Sequence, residues 1–277
     1  MSGKRNSRRE RHPILFIVLL GVAIAMTLPF VELVIQGLTP SAELVSNRWF
    51  PTYWDWQNIP KALTQIPYLR FALISAFIST TYGVLTTFSS AIVGYGFARL
   101  RGAGKRALFA TLIGMMIVPQ AVTVIPTYLL FSRLQIVGTY WPWVLWGLAG
   151  APYAIFLYRQ FYASFPKELE EAARLDGAGR FRTFISIFVP LSKPLFVTVF
   201  VISFNATWGD YVAPSLFLNA NNTALAVGIA GGYQINQGML QPNLLAVGAF
   251  IYLIPVIVIF LFAQRSYVKG FVNSGIK

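Results

Sequence analysis

The sequence predicts an all-α polytopic membrane protein with six transmembrane helices and both termini in the cytoplasm. Three observations carry that expectation. First, 56% of the 277 residues are hydrophobic and only 11% are charged, against about 25% charged in an ordinary soluble domain. So few charges cannot cover a globular surface, and lipid, or a very large partner, must cover the apolar remainder. Second, six apolar stretches are long enough to cross a bilayer core of about 30 Å at about 1.5 Å rise per residue. Third, the basic residues fall almost entirely on one side of those stretches.

The six stretches run from Pro13 to Leu38, Phe71 to Phe97, Ala107 to Phe131, Tyr140 to Tyr158, Leu195 to Leu216 and Leu244 to Ala263. Their length, without strict alternation of apolar and polar residues, argues for helices rather than barrel strands. With the N-terminus taken as cytoplasmic, every Lys and Arg except Arg48, Lys61, Arg70 and Arg133 lies in an inside segment, out of 22 in the chain. Cytoplasmic loops concentrate Lys and Arg, so this asymmetry fixes the orientation. It also accounts for the net charge of +13 without nucleic acid. The expected organisation is a basic cytoplasmic tail (1–12), a first transmembrane helix (13–38), an extracytoplasmic loop (39–70), a five-helix core (71–264) with a cytoplasmic loop at 160–194, and a cytoplasmic C-terminal tail (265–277). The basic N-terminus followed by an apolar run could open a signal peptide. The run is too long and lacks a clean small-residue cleavage pattern, so an uncleaved helix is expected.

Several chemistries are excluded. The sequence has no cysteine and a single histidine, His12. Disulfides, cysteine-bound metals, multi-histidine metal sites and a Ser/His/Asp triad have no material. No G-x-x-x-x-G-K-[ST] phosphate loop occurs. The nearest approach, Gly102-Ala103-Gly104-Lys105-Arg106, lacks the spacing and the hydroxyl, and reads as a glycine turn anchored by basic residues at the headgroups. The spans hold almost no charge near their middles, against an ion-coupled secondary transporter, and no convergent set of titratable groups marks an enzyme.

Two outer loops carry distinct compositions. Thr39 to Arg70 is aromatic-rich, with Trp49, Tyr53, Trp54 and Trp56; these, with Trp141 and Trp143, suit an interfacial belt. Asn219 to Asn243 holds uncharged amides, among them Asn219, Asn221, Asn222, Gln234, Asn236, Gln237, Gln241 and Asn243, which suit hydrogen bonding to a protein or a sugar and equally any wet loop. Within the spans, Gln120, Asn205 and Asp210 are candidates to line a pathway, with Thr207, Ser79, Thr80 and Thr81 as further deep polar positions. Intramembrane polar groups tend to face protein or water, and hydrogen bonds between helices explain them equally well.

The inside loop from Gln160 to Pro194 carries the strongest pattern. Ser164 and Pro166 can open a helix, and Glu168, Glu170 and Glu171 suit its positive N-terminal end. Leu169, Ala172, Ala173 and the stem of Asp176 recur at three- and four-residue steps as one small-residue face. Gly177 and Gly179 then end the helix. A second amphipathic run, Phe181 to Val189, closes at Pro190. Physics alone leaves two readings open here: a docking knob for a soluble partner, or a connector resting on lipid headgroups.

The residue pattern decides between them by resemblance. Glu171-Ala172-Ala173, three residues, Gly177, nine residues, Ile187, Phe188 and Val189-Pro190 resembles the signature loop of permease subunits of binding-protein-dependent ABC importers, with Val189 in place of the usual leucine. Pro166 to Glu170 and Asp176-Gly177-Ala178 are similar to the same family. Ala98-Arg99 with Gly104-Lys105-Arg106 resembles the second inside loop of the same family, and Val118-Pro119, Ile125-Pro126, Thr139-Tyr140-Trp141, Trp208-Gly209-Asp210 and the tail from Gly270 to Lys277 resemble permeases of the maltose and glycerol-3-phosphate type. Gly209 departs from the asparagine common there. The resemblance covers roughly residues 70 to 277.

The resemblance implies a type I ABC importer permease with a cytoplasmic coupling helix, and a chain that does no chemistry of its own. Two ATPase subunits would use ATP and Mg; this chain would bind no cofactor. A second permease, expected to be a different chain, would complete the pathway, and an extracytoplasmic solute-binding protein would deliver a small molecule, a sugar or sugar derivative. Glu171, Ala172, Ala173, Asp176, Gly177, Ile187 and Pro190 would couple to the ATPase. Asn219 to Asn243 is the segment expected to meet the binding protein. In related heteromeric importers the partner permease can hold most substrate contacts, so no sugar site is assigned to this chain.

Overall fold

The computed structural model describes residues 13–44, 48–234 and 240–274, with side chains placed as far as Gln264. The expected basic tail at 1–12, with His12, and the amides Asn236 and Gln237 lie outside the described residues. The described chain is helical: α1 (Pro13–Gly37), α2 (Asn58–Gln65), α3 (Tyr68–Arg99), α4 (Lys105–Met115), α5 (Gln120–Arg133), α6 (Trp141–Ala149), α7 (Pro152–Ala163), α8 (Glu168–Leu175), α9 (Arg180–Leu191), α10 (Lys193–Trp208), α11 (Val212–Phe217), α12 (Leu225–Gly232) and α13 (Pro242–Ser274).

Three of these, α1, α3 and α13 as far as Gln264, are single helices long and apolar enough to span a bilayer. The other expected spans are broken. In place of one helix from Ala107 to Phe131, α4 and α5 meet at a bend of 102°. Pro119 lacks an N–H and holds Val118 out of the helical region, so the chain must turn there. In place of one helix from Tyr140 to Tyr158, α6 and α7 flank Gly150, whose φ of 75° and ψ of 167° suit glycine alone. Pro152 then restarts the chain in the first turn of α7. The fifth span, expected to reach Leu216, ends at Trp208, and Leu216 belongs to the separate short helix α11. The C-terminal segment expected as a tail from 265 continues α13 in backbone to Ser274.

Two compact units divide the chain: residues 1–62 with 233–251, and residues 63–232 with 252–277. In the first, α1 is apolar all round and exposes most of its length, as a helix facing lipid must. Its last carbonyls find partners beyond the helix: the Asn58 amide donates to Gly37 O at 3.0 Å and Thr39 O at 3.1 Å. Asn243 donates to Ser41 Oγ at 3.1 Å, and the Tyr233 hydroxyl to Ala62 O at 2.9 Å.

In the second unit α3 is the hub, packed against α6, α7 and α10. The sequence explains why. Ser75, Ser79, Gly83, Thr87 and Ala91 recur at every fourth residue and are all buried. Such a small-residue stripe lets helix backbones approach closely where lipid offers no hydrophobic drive between them. The approach is tightest at Gly94, where a Cβ would stand 2.5 Å from Tyr158 Cβ on α7. The hydroxyls on this helix close the breaks in its neighbours. Ser90 Oγ accepts the Ala151 N–H at 3.1 Å beside the Gly150 kink, Ser89 donates to Gly147 O at 2.7 Å, and Ser75 accepts the Leu225 N–H at 2.7 Å. Interhelical bonding thus accounts for Ser75, Ser89 and Ser90, whereas Ser79 Oγ and Thr86 Oγ1 are buried on the same helix with no hydrogen-bond partner among the described residues.

Candidate functional site

The segment between α7 and α10 is built from its turns outward. Ser164 closes α7 by donating from Oγ to Phe161 O at 2.7 Å. It does not cap α8 as expected; α8 starts at Glu168 with Lys167 before it and no side-chain cap. Glu168, Glu170 and Glu171 fill the first turn, where their charge meets the positive helix end.

The C-terminus of α8 is a paired-bond stop. The Ala178 N–H reaches Ala173 O at 2.8 Å and the Gly177 N–H reaches Arg174 O at 3.0 Å, with Gly177 at φ +74°. This is the Schellman geometry, which satisfies the last carbonyls and needs a left-handed residue at Gly177. Gly179 is extended and under no such demand. Helix α9 then runs to Leu191, with π pitch over Phe184–Phe188 and the Val189 N–H bonded to Phe184 O. Pro190 lies inside its last turn rather than beyond it, and the wider pitch ahead relieves the missing N–H.

The expected single small-residue face of α8 is divided. Leu169, Glu170 and Ala173 turn inward, while Glu171, Ala172, Leu175 and Asp176 lie in the open. Ile187 is half-buried and Pro190 exposed. Leu175 is 90% exposed and Phe181 is 73% exposed, an apolar pair left bare beside the glycine turn.

What holds α8 in place is a pair whose members the sequence shows only separately, Arg99 in an inside loop and Glu170 in the acidic helix start. Arg99, the last residue of α3, reaches Glu170 of α8 with Nε 3.2 Å from Oε1. Its side chain is 8% exposed and that of Glu170 15%. The same guanidinium donates to Tyr162 O at 3.0 and 2.6 Å and to Phe165 O, and lies 5.3 Å over the Phe188 ring. Tyr95, Tyr162, Phe165, Phe184 and Phe188 pack around it, with the Tyr95 and Phe188 rings 4.9 Å apart. One residue therefore ties the end of α3, the end of α7, α8 and α9 into a single body. A charge at a span end facing an acidic helix is the signal that could have exposed it.

The candidate pathway residues do not form one site. Gln120 is exposed at the first position of α5. Asn205 is half-buried on α10, and its Oδ1 has no hydrogen-bond partner. Asp210 is used locally: Oδ1 accepts the N–H groups of Val212 at 2.9 Å and Ala213 at 3.2 Å and so caps α11. The outer amides are also committed within the fold. Asn222 donates to Gly138 O at 2.7 Å and accepts from the Asn219 N–H at 2.9 Å, while Asn219 Oδ1 accepts the Asn221 N–H at 3.0 Å. Asn243 is buried. The side chains of Asn219, Asn222 and Asn243 thus support the surrounding backbone, while Asn221 is exposed and lends only its N–H.

Residues 90–271, which contain the whole Arg99–α8–α9 assembly, match the family described as binding-protein-dependent transport system inner membrane component. The chain belongs to this family of ABC importer permeases. The permease is therefore a multi-pass inner-membrane component. It is 31% identical over 283 residues to the melibiose/raffinose/stachyose import permease protein MelC of Bacillus subtilis (strain 168), with 99% of each chain covered. It is 27% identical over 285 residues to the arabinooligosaccharides transport system permease protein AraQ of Halalkalibacterium halodurans, covering 98% of this chain and 99% of that one. The fold is shared with a solved bacterial ABC transporter involved in import of the acidic polysaccharide alginate, at a TM-score of 0.77 and 21% identity, over 91% of this chain and 95% of that chain.

Proposed function

We propose that the permease forms half of a translocation pathway for a sugar or oligosaccharide, and that α8 is the coupling helix that docks in a cleft of a separate ATPase. The observation that carries this reading is the division of α8. Its inner face is locked to α3 through Arg99 and Glu170, while Glu171, Ala172, Leu175 and Asp176 remain uncommitted in solvent. A partner that moved α8 would move the end of α3 with it, which is what alternating access requires. The basic-residue distribution supports a cytoplasmic position for this loop and both termini. The chain carries no phosphate loop, so ATP and Mg are assigned to two ATPase subunits and this chain is non-catalytic. A second, different permease and an extracytoplasmic binding protein complete the assembly. The sugar assignment rests on the cargoes in the names of MelC and AraQ.

The test is purification of the intact complex from its native membrane, with identification of the co-purifying chains. An ATPase and an extracytoplasmic binding protein that retains a saccharide are the expected result. A complex without an ATPase overturns the coupling assignment, and a binding protein loaded with a non-sugar solute overturns the cargo.

A further inference from the structure

A second cationic site lies apart from the docking loop, where α3, α4 and α7 converge. Lys105 and Arg106 at the start of α4 and Arg159 on α7 line a cavity of about 390 Å³, together with Phe97 and Phe109. Among the described residues no carboxylate pairs with any of these three cations. Arg159 is half-buried and lies over the Phe109 ring, its Cζ 4.2 Å from the centroid. Phe109 is itself fixed between Phe97 at 5.4 Å and Phe156 at 6.4 Å. Lys105 is half-buried and anchored by donation to Leu100 O at 2.7 Å. The α4 N-terminus carries no side-chain cap, so its first N–H groups add to the positive potential.

These features differ from a solvated basic surface. Solvated lysines and arginines project freely, whereas here two of the three are drawn down onto the walls. A ring stack and helix flanks supply apolar surface next to the charge. Charge balance asks for an anion, and the apolar walls ask for a hydrocarbon portion. The cavity sits where the spanning helix α3 ends and the chain turns back into α4, an end that the basic-residue distribution assigns to the cytoplasmic headgroups.

We infer that this cavity binds the phosphate of an anionic phospholipid, with Lys105, Arg106 and Arg159 on the headgroup and the Phe97–Phe109 wall against the start of an acyl chain. Arg159 joins α7 to α4 through Phe109, so an occupied site would brace the two helices together. The site is independent of the cargo and of the ATPase assignment.

The test uses the assembled, delipidated complex titrated with phosphatidylglycerol, phosphatidylcholine and inorganic phosphate, with native mass spectrometry as the readout. Phosphatidylglycerol is expected to bind in preference to phosphatidylcholine. Each basic residue beside an anionic headgroup is worth about fivefold in binding, so Lys105→Gln, Arg106→Gln and Arg159→Gln together are expected to weaken it on the order of a hundredfold. Phe109→Leu keeps every charge and removes the ring under Arg159; it is expected to weaken binding severalfold and decides the matter if the triple variant does not assemble. Failure of millimolar phosphate to displace the lipid identifies the membrane as the source. Displacement by phosphate, with equal retention of the free anion, identifies a soluble phosphate and overturns the role of the acyl wall. Equal phosphatidylglycerol binding by wild type and by the variants overturns the site.

Discussion

Two polar segments of the permease, α8 with its glycine turn and the Asn219–Asn222 turn, present opposite surfaces. In the first, charged and apolar groups at Glu171, Leu175, Asp176 and Phe181 stand in solvent while the last carbonyls of the helix are closed by the backbone's own Schellman bonds. In the second, the side chains of Asn219 and Asn222 are bonded to the backbone of their own turn and of Gly138. Polar composition alone does not separate a docking surface from a scaffold. The separation comes from whether the backbone satisfies itself and leaves the side chains free, or borrows them.

The sharpest way to break that contrast is to cut the strut under α8. Arg99→Met leaves Glu170 charged and almost buried, with only Arg174 still near it, Nη2 3.9 Å from Oε2, so the cost falls at the lower end of the about 3–5 kcal/mol of breaking a buried pair. Unfolding of the purified complex in detergent is expected to show a loss of that size, and Arg99→Met with Glu170→Met is expected to recover most of it. A single variant as stable as wild type would remove the pair from the account of how α8 is held.

Gly177→Val is next. The left-handed backbone at φ +74° costs a side-chain-bearing residue about 1–2 kcal/mol, more when β-branched. No neighbouring atom lies within 4 Å of a Cβ built there, so the penalty is conformational and falls on the turn. Substrate-stimulated ATPase of the assembled complex is expected to drop at least tenfold with modest loss of stability. Unchanged stimulation would separate the turn from coupling.

These two residues mark the limit of what the sequence made legible. Gly177 was readable because a turn is local: an acidic helix start, a small-residue run and a glycine stand within ten residues of one another. Arg99 was not, because its meaning depends on Glu170, and only the packing of α3 on α7 brings the two together. The same division runs through the spans. Their apolar length was plain, yet the bend at Pro119 and the kink at Gly150 were absorbed into continuous helices, since apolar composition does not change across either break, and at Gly150 neighbouring hydroxyls repair it. Ser89 and Ser90 make that repair from α3, far away in sequence. Asp210 was read by its charge as a pathway candidate, and its capping of α11 rests on a helix start that the apolar run concealed.

A crossed pair of substitutions sharpens the opening contrast directly. Leu175→Ser alters an open side chain, so stability is expected to stay within about 0.5 kcal/mol while substrate-stimulated ATPase falls severalfold. Asn222→Ala removes the bond to Gly138 O and is expected to cost about 1 kcal/mol while transport per folded complex is unchanged. A stability loss at Leu175, or a transport defect at Asn222 without one, would erase the distinction between the two segments.

The smallest effect belongs to a third polar segment, in the 39–62 region, where one exposed carboxylate is borrowed by the backbone in the same way. Glu43 accepts the Thr52 N–H at 2.9 Å and the Thr52 hydroxyl. Those bonds hold its pKa below the usual carboxylate value, with the nearby Arg48 charge adding a smaller pull in the same direction. A depressed folded-state pKa stabilises the loop above the unfolded value, and that contribution disappears as the pH falls through the folded one. The loop is therefore insensitive to pH near neutrality and loosens only in acid. Thr52→Val removes the hydroxyl bond and keeps the N–H, so the acid transition, followed by the fluorescence of Trp49, Trp54 and Trp56, is expected to move to higher pH. A transition at the same pH in both proteins would show that the Thr52 hydroxyl does not hold the loop.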